Sequence, residues 1–198
     1  MAYMQRGPTF TPTPSRASAR TRLLDTARTL FYQRGVNNVG IDEILRESGV
    51  AKATLYKHFQ NKDALILEFM RQGDERWLLW LSERVAALEP DPARRPLAVF
   101  DVLQEWFALP RFRGCLLTNA AVELADPLHA AHDLLRVHKA RVREYLQTLL
   151  QGAGHPDPET GARTLQLLIE GATLQARTQQ DPQVAQEARA MARTLLGL

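Results

Sequence analysis

Cysteine is almost missing: Cys115 is the only one in 198 residues. A lone cysteine forms no internal disulfide, so the fold must hold without covalent cross-links, which suits a reducing cytoplasm. No stretch reaches the roughly 18 to 20 apolar residues that a membrane span needs. The N-terminus lacks the continuous apolar segment of a secretory signal. The expectation is a cytoplasmic protein with no membrane partner. Convincing strand alternation, internal repeats and low-complexity tracts beyond the N-terminal tail are missing too. So are the short catalytic signatures: a Gly-rich phosphate loop, a Gly-x-Ser-x-Gly elbow, a His-Glu-x-x-His pair. No catalytic residue, no metal and no cofactor is expected.

Hydrophobic residues make up 45% of the chain, enough to bury a core, and charged residues 24%. A net charge of +3 says little by itself about partners. Its distribution says more. Residues 1 to 65 carry ten Lys/Arg against five Asp/Glu, whereas residues 66 to 198 carry fifteen against seventeen. Positive charge collects in the first third, as expected if only that part meets phosphate.

Pro8, Pro12 and Pro14 disfavour a helix at the start, so residues 1–15 read as a tail. Arg16 and Arg20 follow it, either as solvated charge or as an arm for phosphate or the minor groove. A helix from about Arg16 to Arg34 is predicted by Leu23, Leu24, Ala27, Leu30 and Phe31 on one face, with Gly35 as a left-handed cap. Ile41, Ile44 and Leu45 predict a short helix over 41–48. Gly49 and Val50 make a turn, and a third helix covers 52–58. Asn61 caps a fourth, with Leu65 and Phe69 on its apolar side. Further helical segments are predicted at 66–88, 95–108, 115–125, 128–151, 159–178 and 182–196, separated by Pro- and Gly-containing breaks. The fold class is all-α.

The run Ile41-Asp-Glu-Ile-Leu-Arg-Glu-Ser-Gly49-Val50-Ala-Lys-Ala-Thr-Leu-Tyr56-Lys-His-Phe59 has the form of a helix-turn-helix: two short helices, a tight turn and a small shared core. Ile44, Val50, Leu55 and Phe59 supply that core. Lys52, Thr54, Tyr56, Lys57 and His58 are left for the remaining surface of a very short helix. Lys suits guanine or phosphate, Thr a base edge or a thymine methyl, and Tyr and His bond phosphates well. Lys62 at a helix N-terminus opposes the local dipole, a cost that a bound phosphate would offset; a lysine pointing into water is the plainer alternative.

Together, Ile41-Asp-Glu-Ile, Ser48-Gly-Val50, Thr54-Leu-Tyr56-Lys-His58-Phe59 and Asn61-Lys62-Asp-Ala-Leu65 resemble the DNA-binding domain of the TetR family of repressors, without a gap from about Leu23 to Leu67. Gly40 stands where many members have a Ser or Thr cap, and Leu45 replaces a frequent Ala; Gly is an acceptable cap. The resemblance implies that Lys52, Ala53 and Thr54 approach base edges and that Tyr56, His58 and Lys62 hold phosphates, with Leu55 and Phe59 structural. It divides the chain into the tail, a helix-turn-helix domain at 16–66 and a ligand-binding and dimerisation domain at 67–198.

In the C-terminal part, Leu165, Leu168, Ile169, Ala172 and Ala176 recur along one helix. Val184, Ala185, Ala188, Met191, Ala192 and Leu195 recur along the next. The resemblance implies that these two helices pair with their copies as a homodimer interface, which a palindromic operator needs; packing within one chain is the alternative. Trp77, Trp80, Phe100, Trp106, Phe107 and Phe112 are candidates for an apolar effector pocket, or plain core. Cys115, Asn119 and Glu123, four apart, form a polar stripe on an otherwise apolar helix, to be satisfied by a ligand or by an internal network. The Arg-Gly-Cys start of that helix is similar to a subgroup of TetR-like C-terminal domains. Cys115 has no resolving partner for a redox cycle. Asp126, His129, His132 and Asp133 surround a helix start but lack a telling fourth metal ligand.

The leading expectation is therefore a dimeric repressor that binds double-stranded operator DNA and a small-molecule effector. A constitutive DNA-binding protein and, less in keeping with the residues, a helical enzyme are the alternatives.

Overall fold

The computed structural model describes residues 18–198, and every regular element among them is helical. The expected all-α class holds. The tail and Arg16 lie outside the described residues. In chain order the helices are α1 Ala19–Arg34, α2 Ile41–Ser48, α3 Lys52–His58, α4 Lys62–Leu88, α5 Arg95–Phe107, α6 Leu116–Glu123, α7 Ala130–Gly152, α8 Pro158–Gln179 and α9 Val184–Leu196. The segment predicted at 66–88 is the continuation of the helix that Asn61 caps, so the two are one element.

Helix ends follow the local chemistry. Ser18 Oγ accepts the Thr21 N–H at 3.1 Å, and Asn61 Oδ1 accepts that of Ala64 at 2.8 Å. Asp157 Oδ1 accepts the Thr160 N–H at 3.1 Å just ahead of Pro158, the first residue of α8. Each removes an orphan donor from a helix start. The turn after α2 is made by Gly49 at φ 62°, ψ 27°, a left-handed conformation that glycine adopts without a Cβ penalty.

The described chain forms two compact units whose division does not follow sequence order. One comprises residues 18–75 with Cys115–Arg136; the other comprises Arg76–Gly114 with Val137–Leu198. A single boundary after residue 66 does not describe this, because α6 and the start of α7 pack with the N-terminal helices. The core of the first unit shows why: Leu116, Leu117, Ala120 and Ala131 are buried in one cluster with Leu23, Phe31, Leu65 and Phe69. Phe31 and Phe69 meet edge to face at 5.5 Å. In the second unit α9 packs on α5 and α8, and Phe100, Leu103, Leu146, Leu165 and Ala192 lie in its interior.

Candidate functional site

The site begins with α3, which has seven residues and two faces. Leu55 and Phe59 turn inward, 0% and 5% exposed, onto Ile44 and Val50. That pins a helix too short to be stable alone. Lys52, Ala53, Tyr56, Lys57 and His58 are consequently exposed, with Thr54 half-buried at the margin. Lys52 Nζ stands 3.6 Å from Asp42 Oδ1 on α2, and both side chains are open to solvent. Such a pair is worth little and yields readily to a competing anion. Lys62 is the first residue of α4, beside the Asn61 cap. Among the described residues neither Lys57 nor Lys62 has an ion-pair partner.

Arg20, read either as solvated charge or as an arm for phosphate, makes an ion pair here. Its guanidinium donates to Glu68 Oε1 at 2.7 Å and lies 5.5 Å over the Phe59 ring. It tethers α1 to α4 and covers Phe59 at the end of α3.

The eight candidate effector residues are divided between the two units. Trp77, Trp80, Trp106, Phe107 and Phe112 belong to the second unit, and Cys115, Asn119 and Glu123 to the first. Ring contacts link Trp77 to Trp106 at 5.5 Å and join Trp106, Phe107 and Phe112 mutually at 5.0 to 5.8 Å. Trp80 is half-buried against the same core, and Phe100 is fully inside it. His138, which carried no sequence signal, is 3% exposed and sits edge-on to Trp77 at 5.6 Å. The indole nitrogen of Trp77 is buried and makes no hydrogen bond. Glu123, by contrast, is engaged on the α1–α2 turn, where its carboxylate accepts the Asn37 N–H at 3.1 Å.

The candidate interface residues divide as well. Leu165, Ile169, Ala172, Ala188 and Ala192 are buried within their own unit, and Leu168 is partly so. Met191 and Leu195 are exposed, 55% and 65%. On α8 the open apolar side chains are Leu167 and Leu174, 74% and 63% exposed, which the sequence reading missed. Their seven-residue spacing, two helical turns on one face, was the signal that could have found them.

The His and Asp residues near α7 are locally satisfied. His129 Nδ1 accepts the Ala131 N–H at 3.1 Å, and a His132 ring nitrogen lies 3.1 Å from the Leu124 carbonyl. Among the described residues no three His, Cys, Asp or Glu are placed to hold a metal. No helix among them is long and apolar enough to cross a membrane.

Comparison with known proteins adds two family matches. Residues 23–69 match the model for bacterial regulatory proteins of the tetR family, and residues 92–192 the tetracyclin repressor-like C-terminal domain. A TetR-family transcriptional regulator from Streptomyces coelicolor, of known crystal structure, is 33% identical with a TM-score of 0.81, over 90% of this chain and 94% of that one. The reduced form of Escherichia coli NemR shares the fold at 24% identity and a TM-score of 0.77, over 90% of this chain and 97% of its own. The HTH-type transcriptional regulator YjdC of Escherichia coli is 22% identical over 152 residues, 77% of this chain and 80% of YjdC.

Proposed function

This chain belongs to the tetR family of bacterial regulatory proteins, and from that premise we propose that it is a dimeric, operator-specific repressor released from DNA by a small, partly apolar effector. The observation that carries the DNA half is the two-faced α3, with Leu55 and Phe59 held inside and Lys52, Ala53, Tyr56, Lys57 and His58 outside. Lys52, Ala53 and Thr54 approach base edges in the major groove, while Tyr56, Lys57, His58 and Lys62 hold the phosphates on either side. Phosphate contacts supply affinity and register; the N-terminal end of α3 supplies sequence preference.

The dimer half is supported by the exposed Leu167, Leu174, Met191 and Leu195 on the last two helices. A two-fold pairing of those helices would bury four large apolar side chains per chain and present two copies of α3 to half-sites about 34 to 36 Å apart. The effector half is supported by the linked rings of Trp77, Trp106, Phe107 and Phe112 and by the buried, unbonded indole N–H of Trp77. A buried donor without a partner is costly, and a ligand bearing one acceptor on a flat apolar body would satisfy it. The effector acts by preferring a dimer whose α3 separation no longer matches the operator, and its effect is bounded by that preference.

One observation favours the alternative of a constitutive DNA-binding protein: the rings of this cluster already touch one another. The experiment is a titration of the full chain against duplexes from upstream of its own gene, with scrambled duplexes as control, at several salt concentrations. Selective binding with a steep salt slope supports the repressor reading. Challenging that complex with flat apolar acceptors then separates the two readings, because release supports an effector and persistence supports constitutive binding. Equal weak binding to every duplex, including ones selected from random pools, removes both.

A further inference from the structure

The last residue of α6 grips the turn between α1 and α2. Glu123 Oε2 accepts the Asn37 backbone N–H at 3.1 Å, and the Glu123 carbonyl accepts a second bond from Asn37 Nδ2 at 2.6 Å. The two residues are 86 positions apart, and Asn37 donates both bonds, one from its backbone and one from its side chain. The carboxylate lies directly over Gly35, where a Cβ would meet its two oxygens at 2.5 and 2.6 Å. Gly35 is at φ 89°, ψ 156°, positive like the expected left-handed cap but with an extended ψ that suits glycine alone. Glycine is thus required by the backbone, and any Cβ there would push the Glu123 carboxylate off the turn.

The gripped turn leads straight into the helix-turn-helix. Val36 and Val39, on either side of Asn37, are 1% and 0% exposed, so the turn is anchored in the same core that seats α3. From its own segment, at the surface, the turn is closed by Asn38 Nδ2 on the Arg34 carbonyl at 2.9 Å and by the Arg34–Glu43 ion pair. From outside, Glu123 closes it. α2 itself begins on Gly40, which offers no side-chain cap, so the entry angle of α2 depends on how this turn is held. The segment bearing Glu123 belongs to the N-terminal unit, yet it enters from Gly114 and leaves to Val137, both of the other unit.

We propose that Glu123 is a positioning residue for operator recognition: by holding the Asn37 amide it fixes the α1–α2 turn, and through it the pitch at which α3 presents Lys52 and Thr54 to the bases. This rests on the reading of α3 as the helix that meets DNA. Glutamine at the position keeps an acceptor for the Asn37 N–H, whereas alanine keeps none.

The test uses the full chain as wild type, Glu123→Ala and Glu123→Gln, with a duplex that wild type selects from a random pool and a scrambled control. Glu123→Ala is expected to lose about tenfold in affinity for the selected duplex. Its affinity for the scrambled duplex and its salt slope should be unchanged, because the phosphate contacts remain. Glu123→Gln should stay within about threefold of wild type. Hydrogen exchange at the Asn37 amide should quicken in the alanine variant and not in the glutamine variant. The proposal is overturned if Glu123→Ala binds the selected duplex like wild type, or if both duplexes weaken in parallel with a fall in the folded fraction, the mark of a merely structural group. If wild type selects no duplex, the reading of α3 falls and this proposal with it, whereas slow exchange at Asn37 in Glu123→Ala would refute the grip alone.

Discussion

Arg28 donates to Gln72 Oε1 at 2.6 Å from a position only 1% exposed, joining α1 to α4 inside the N-terminal unit. Its other terminal nitrogen meets Asp25 Oδ1 at 2.7 Å. A buried guanidinium is tolerable only when its partners are in place. Replacing Arg28 with Ala leaves Asp25 without this partner and a void where the stem packed, and should cost about 3 kcal/mol or more. Arg28→Met keeps the apolar stem and should cost less. Urea unfolding followed by circular dichroism measures both; an alanine variant as stable as the parent would show that the pair contributes nothing.

Gln72 continues the chain of bonds to Glu68 at 2.9 Å, and Glu68 receives Arg20 at 2.7 Å. The Arg20 hydrogen bond holds the Glu68 carboxyl below its usual 4.5, aided by Gln72 and by the nearby Arg71 charge, against the opposing effect of burial. A depressed acid stabilises the fold fully above its unfolded pKa and loses that contribution as pH falls through the folded value. The melting temperature should therefore drop as pH falls below about 4.5, and Glu68→Gln should flatten that part of the profile. A Glu68→Gln curve with the same acid limb as wild type would place the sensitivity elsewhere.

The boundaries of α2 and α3 were legible because short amphipathic helices ended by Gly49 and Phe59 leave little choice of register. The Asn61 cap was legible for the same local reason. Three features were not. Arg28 occupies an inward position that hydrophobic periodicity skips over, since the pattern marks apolar residues only. Glu123 and Asn37 are polar residues far apart in sequence, and nothing in either segment names the other. On α8, apolar residues fall on two faces; Leu165 and Ile169 are inside while Leu167 and Leu174 are outside, and periodicity shows that both faces exist but not which one the chain itself covers.

The candidate DNA contacts separate by what each would change. Lys62→Ala should weaken binding to every duplex alike and lower the salt slope by about one unit, as loss of one phosphate contact does. Thr54→Ala should instead alter which duplexes a random pool yields. Lys52 is held by Asp42 only at 3.6 Å in solvent, so Asp42→Asn should leave stability nearly unchanged while raising affinity for all duplexes a few-fold. Electrophoretic titrations of the same duplex set read all three, and a Lys62→Ala protein with unaltered affinities would remove its phosphate role.

The open apolar stripe gives the sharpest handle on assembly. Leu167 and Leu174 stand two turns apart on α8, with Met191 and Leu195 one turn apart on α9, all more than half exposed. Neither α8 residue supports the chain's own core, so changing them should not unfold it. Leu167→Glu with Leu174→Glu would place two like charges per chain in the centre of a two-fold interface, where each is repeated by symmetry and none can be paired. The expected product is a folded monomer by light scattering, with an unchanged circular dichroism spectrum. Its operator affinity should fall steeply, because one α3 reaches one half-site only, while binding to a single half-site duplex should be retained. A double variant that still sediments as a dimer would move the interface off this stripe; one that is monomeric yet binds the full operator as wild type does would detach DNA recognition from dimerisation.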